Sequence, residues 1–172
     1  MDNKQKWYEL IERVYKITSK ATMPCVEVCP TGACEAVGSG ELVVFLPYEM
    51  EYINEKIKAT ENKFTLKEID GFIYGTMPDT VPCPFLSGKE CSIRAFRPFD
   101  CRSFPLLPRF HLDKKGMEFF LIDYCPLKDK LSKEFIKRII KAWKLLEPEL
   151  PLVWKKFYNL ICQYGKPLLS PK

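Results

Sequence analysis

Histidine is nearly missing from this chain: His111 is the one imidazole among 172 residues. A single histidine makes any Ser-His-Asp or Cys-His catalytic arrangement not credible. No segment approaches the 18 or so uninterrupted apolar residues that a membrane-spanning helix needs. The amino terminus, MDNKQKWYEL, lacks the apolar stretch and small-residue cleavage site of a secretory signal, so a cytoplasmic protein is expected. There is no internal repeat and no low-complexity tract. The basic surplus is small, 27 Lys+Arg against 22 Asp+Glu for a net charge of +5, with no dense basic stripe. Nucleic acid is accordingly disfavoured as a partner, and so is a membrane.

What is present is enough apolar material for one sizeable core, at 47% hydrophobic and 13% aromatic. A single domain over residues 1–172 is expected, with structural helices over 4–19 and 132–165 flanking a central region, 24–126. In 4–19, Trp7, Leu10, Ile11, Val14 and Tyr15 recur at the spacing of an amphipathic helix. The carboxyl-terminal part repeats the pattern with Phe135, Ile136, Ile139, Ile140, Trp143 and Leu146, preceded by Ser132 as an N-cap. A proline-containing break at 148–151 leads to a last helix, PLVWKKFYNLICQYG, that Gly165 would close, and the tail KPLLSPK reads as loose.

Between these helices, ELVVFL at 41–46 suits a buried strand, and PYEMEYINEKIKA starts a helix with Pro47 near its first turn. Residues 63–76 alternate as a strand pair around Asp70–Gly71, and 106–123 read as a hairpin turning at DKKG. The expectation is an α+β fold in which one small, mostly antiparallel sheet, drawn from 41–46, 63–76 and 106–123, is packed by about four helices.

The chemistry lies in eight cysteines. Cys162, beside Val153, Phe157 and Ile161 on the last helix, reads as a small buried side chain. The other seven, Cys25, Cys29, Cys34, Cys83, Cys91, Cys101 and Cys125, fall in loops or at element ends. Three of them precede proline, which fixes φ and leaves the thiol on a bent, rigid turn. In a reducing compartment such thiols favour metal or redox chemistry over structural disulfides, although disulfide stapling is the bland alternative.

Seven converging thiolates would repel one another unless cations or a metal held them. Arg94, Arg97, Arg102 and Arg109 lie in that neighbourhood. Arg97 and Arg102, set among Pro98, Cys101 and Pro105, are the candidates to offset anionic charge or donate to sulfur around a cofactor, with ordinary carboxylate pairing as the alternative. The spacings C-x3-C-x4-C and C-x7-C-x9-C match neither a zinc ribbon nor a ferredoxin run. The thiol count exceeds the four ligands of one tetrahedral zinc, so a bridged polynuclear centre or an iron-sulfur cluster with spare thiols, such as 4Fe-4S, comes into consideration, the iron-sulfur cluster being the favoured cofactor and zinc the alternative. His111, on an expected strand, reads as structural, with a site role as the alternative.

The stretch CPFLSGKECSIRAFRPFDCRSFP resembles the signature of the YkgJ-type cysteine-cluster family of zinc- or iron-chelating domains. Its marks are a C-x-x-L step at Cys83–Leu86, a C-x-I segment at Cys91–Ile93 and an R-P-x-x-C-R-x-F core from Arg97 to Phe104. The likeness runs from Cys25 to Cys125. Its first loop departs from the usual C-x-x-C-x-x-C-C, with Glu35 where the fourth cysteine would stand. LVVFLPYEMEYI is similar to the family's strand followed by a Pro-Glu helix.

The resemblance implies metal chelation by the seven cysteines and carries no reaction of its own; the flagellin lysine methylases look similar in cysteine pattern. Three classes of function follow. One is an iron-sulfur protein in electron transfer or redox chemistry with a redox partner protein; another is a structural-zinc interaction module. The third is a methyl-transferring or oxidoreductase enzyme. For a methyl-donor pocket, the glycines of VGSGELVV precede the strand when they should follow it. Radical S-adenosylmethionine chemistry is disfavoured because C-x3-C-x4-C is not C-x3-C-x2-C.

Overall fold

A computed structural model describes residues 2–21, 42–58, 65–69, 71–76, 85–88, 90–122, 125–162 and 166–168. The first helix, α1 (Asn3–Thr18), is capped by the Asp2 carboxylate, which accepts from the Lys4 N–H at 3.3 Å. It buries the expected stripe of Trp7, Leu10, Ile11, Val14 and Tyr15. That stripe packs on α4 (Lys133–Leu146), where Ser132 Oγ accepts from the Phe135 N–H at 3.0 Å and Phe135, Ile139, Trp143 and Leu146 are buried. Burying side chains of this size contributes about 1.5–3 kcal/mol each, so these two helices form the main apolar seam.

The fold is α+β, as expected. Among the described residues, however, the strands do not join into the one sheet that the sequence suggests. Strand β1 (Leu42–Val43) pairs antiparallel with β3 (Phe72–Thr76), which pairs with β2 (Thr65–Ile69). A second sheet holds β6 (Leu106–Phe110), β7 (Met117–Leu121) and β8 (Lys166–Pro167) in the order β6-β7-β8. A short ribbon, β4 (Leu86–Ser87) with β5 (Glu90–Cys91), lies between them in sequence. Both expected turns are in place. Ile69 faces Phe72 across Asp70–Gly71, with Gly71 at φ +78°, and Arg109 faces Glu118 across the second hairpin.

Side chains bond the backbone groups at the ends and outer edges of these strands. Past Val43, the Val44 N–H donates to Asp100 Oδ2 at 3.2 Å and the Leu46 N–H to Glu49 Oε2 at 2.9 Å, so the strand stops pairing while Val44, Phe45 and Leu46 stay buried. On β6, the Asn159 amide accepts from the Phe110 N–H at 2.9 Å and donates to the Phe110 carbonyl at 2.8 Å, as a neighbouring strand would. Pro108 needs no donor on such an edge.

Helix α2 (Glu49–Ile57) follows Pro47 and is entered through Tyr48 at φ 60°. After α4, Pro151 leads into α5 (Leu152–Ile161), which ends earlier than the sequence suggests, at an extended Cys162. The Gly165 closure lies outside the described residues. The tail is not wholly loose: the Leu168 N–H donates to the Phe119 carbonyl at 2.7 Å beside β8, where Pro167 occupies an edge strand. Trp143, Trp154, Tyr158 and Phe99 form the aromatic centre, with Phe99 edge-on to Trp143 at 4.6 Å and Trp154 stacked on Tyr158 at 4.9 Å. No described helix is long and apolar enough to cross a membrane.

Candidate metal centre

The R-P-x-x-C-R-x-F motif folds as an extended entry at Arg97–Pro98, the five-residue helix α3 (Phe99–Ser103) and an exit into β6. A helix this short satisfies few of its own backbone groups, so its orientation depends on what surrounds it. Phe99, Asp100, Arg102 and Ser103 are each held by internal partners. Phe99 has no exposed surface, and its N–H donates to Glu49 Oε1 at 2.6 Å. Asp100 accepts from the Val44 N–H through Oδ2 and from the Tyr158 hydroxyl through Oδ1 at 2.9 Å. Arg102 is buried: Nε donates to the Arg97 carbonyl at 2.9 Å and Nη2 to that of Ala95, while the guanidinium lies 3.8 Å from the centre of the Tyr15 ring. Ser103 Oγ donates to the Asp100 carbonyl at 3.0 Å.

The remaining residue of α3 is Cys101, half-buried against the apolar core. Cys91 is likewise half-buried, at the end of the β4–β5 ribbon opposite Leu86. Ser92 closes that ribbon by donating to the Phe85 carbonyl from both its N–H, at 2.8 Å, and its hydroxyl, at 3.0 Å. Cys125 is buried; its carbonyl accepts from the Lys128 N–H at 3.1 Å in the turn after Cys125–Pro126. All three thiol-bearing residues border the same hydrophobic core. Cys25, Cys29, Cys34 and Cys83 lie outside the described residues. Among the described residues, no three His, Cys, Asp or Glu side chains are grouped as a metal ion would require.

His111 sits where β6 meets the hairpin turn, its N–H donating to the Gly116 carbonyl at 3.0 Å. It lines a shallow cleft with Arg109, Asp113, Glu118 and Asn159. Of the four arginines, Arg94 and Arg109 are exposed, Arg97 is half-buried and Arg102 is buried. Arg102 thus binds backbone carbonyls and an aromatic face, partners that sequence proximity to the thiols did not suggest.

The buried polar centre beneath α3 was missed entirely. Glu49, at the first turn of α2, has no exposed surface and accepts three hydrogen bonds: from Tyr15 Oη at 2.8 Å, from the Phe99 N–H and from the Leu46 N–H. Burial raises its carboxyl from the ordinary 4.5 to about 7, against the opposing pull of the two backbone donors, Tyr15 and Arg102. Burial pushes the Tyr15 hydroxyl well above its usual range, and the Glu49 charge adds to this. Burial lowers the pKa of the Arg102 guanidinium, and the Arg97 charge acts in the same direction. The Cys162 thiol is held well above its usual range by burial and then by Asp100. In the sequence, a Glu just after Pro47–Tyr48 reads only as an acid suited to a helix amino terminus; nothing local marks it as buried. No family model matches the chain, and neither a curated protein nor a solved structure matches it.

Proposed function

We propose that the chain belongs to the cysteine-cluster proteins it resembles in motif, and that it holds an iron-sulfur cluster used in electron transfer or redox chemistry. Cys91, Cys101 and Cys125 supply part of the ligand set. The rest would come from Cys25, Cys29, Cys34 and Cys83, as the motif resemblance implies. The observation that carries this reading is that three separate thiol-bearing segments, a ribbon end, a braced short helix and a Cys-Pro turn, border one core. Thiolate donors suit iron-sulfur clusters and zinc, and disfavour the hard cations magnesium and calcium. When bound, such a cluster would supply a one-electron redox centre. Arg97 and Arg102 contribute positive charge near the thiols, Arg102 from beneath α3. A cytoplasmic setting would keep unligated thiols reduced, and electron transfer would call for a redox partner protein.

The test is to purify the full chain without oxygen and measure iron, acid-labile sulfide, zinc and visible absorption. The expected result is a coloured protein carrying iron and sulfide in similar amounts. Colourless protein carrying zinc alone would replace the cluster by a structural-zinc module, in which the metal only staples the loops.

A further inference from the structure

Glu49 is a buried acid with no role in the ligand set, yet it joins three parts of the chain. Its Oε2 accepts from Leu46, which ends the β1 segment, and its Oε1 accepts from Phe99, which begins α3, and from Tyr15 on α1. The same Tyr15 ring carries the Arg102 guanidinium on its face, and Arg102 in turn holds the carbonyls of Ala95 and Arg97. The segment from Ala95 to Arg102 is therefore gripped at both ends by one assembly built on Glu49, Tyr15 and Arg102. Cys101 lies inside that grip, in a helix too short to set its own direction.

We infer that Glu49 is a positioning residue for Cys101: through the Phe99 N–H and through Tyr15 beneath Arg102, it sets where α3 presents this thiol. The inference rests on the reading of Cys101 as a metal ligand. It does not require Glu49 to touch the metal. A glutamine at 49 cannot reproduce the arrangement, because its amide offers one acceptor oxygen where two backbone N–H groups, on opposite oxygens, need one each. Whichever way the amide turns, either Leu46 or Phe99 faces a second donor.

The test uses the full chain as isolated without oxygen. The rates of iodoacetamide modification at Cys101 and Cys125 are followed by peptide mass spectrometry, with iron and zinc measured on the same samples. In Glu49→Gln, loss of one buried hydrogen bond is expected to speed modification of Cys101 by about tenfold through local opening, with Cys125 unchanged. Tyr15→Phe, which removes a single hydroxyl, is the milder variant should Glu49→Gln fail to fold, and a rise of about threefold at Cys101 alone is expected there. Equal acceleration of both thiols, or no acceleration of Cys101, would overturn the inference, because general destabilisation exposes both. Absence of iron and zinc from the unmodified chain would sink the metal reading separately, while the ratio of the two rates would still decide whether Glu49 places Cys101.

Discussion

Raising the pH through neutrality should destabilise this protein at one identifiable residue. Glu49 has no exposed surface, and its carboxyl is raised from 4.5 to about 7 in the fold. The folded state therefore binds a proton that the unfolded chain has already released across that interval, and stability falls as pH rises. The contribution is fully present below pH 4.5 and lost once the pH passes about 7. At ~1.4 kcal/mol for each pH unit between those limits, the loss amounts to about 3 kcal/mol. Urea unfolding, followed by tryptophan fluorescence at several pH values from 5 to 8, would measure it if Glu49→Gln were run in parallel. The variant shares every other titrating group, so the difference between the two isolates Glu49. At pH 5 the protonated carboxyl and the glutamine amide each offer one acceptor oxygen, so the two proteins should be about equally stable, and a gap in the variant's favour should open to most of that amount as the pH rises. A gap that stays constant would refute the reasoning. A constant gap is the result if the Leu46, Phe99 and Tyr15 donors and the Arg102 charge outweigh burial and keep the carboxylate ionised throughout.

Three further substitutions test buried polar contacts in the fold. Lys155 and Glu147 form a 2.7 Å ion pair with side chains only 12% and 9% exposed, so Lys155→Met should lower stability by about 3 kcal/mol by stranding a buried carboxylate. Adding Glu147→Leu should recover most of that loss in the same denaturation assay. Asp100→Asn keeps the shape but can no longer accept from both the Val44 N–H and Tyr158 as a carboxylate does. The expected loss of about 1–2 kcal/mol would lower the melting temperature by about 3–6 °C, and an unchanged melting temperature would show that these two bonds do not hold α3 to the β1 segment.

The helices were legible because their signals are local. The stripe from Trp7 to Tyr15 and the one from Phe135 to Leu146 repeat at helical spacing, and Ser132 caps where its side chain predicts. The hairpins were legible for the same reason: glycine stands at the turn in each, and both Gly71 and Gly116 adopt positive φ. The division into separate sheets was not legible, because it depends on side chains far away in sequence. Asp100 takes the Val44 N–H and Asn159 takes both polar groups of Phe110. Alternation of apolar residues identifies a strand but not the partner on its far edge, and here carboxylates and an amide fill that position. The β8 pairing was hidden in the same way, since a Lys-Pro pair has little strand character of its own.

The site separates along a similar line. Motif spacing identifies residue types that gather near one another, but it does not say which way each side chain leaves the backbone. Cys101 and Arg102 are adjacent in sequence, yet on a helix consecutive side chains diverge by about 100°. Cys101 lies half-buried against the core, while Arg102 turns back over Tyr15 and spends its donors on the carbonyls of Ala95 and Arg97. A positive charge held this way makes the potential around Cys101 more positive without contacting the thiol, and it steadies the helix that carries Cys101. In the proposed cluster, direct compensation of thiolate charge would fall to half-buried Arg97 and exposed Arg94. Of the two arginines that flank the motif's cysteine, Arg102 braces α3, and Arg97, half-buried, gives its carbonyl to that brace.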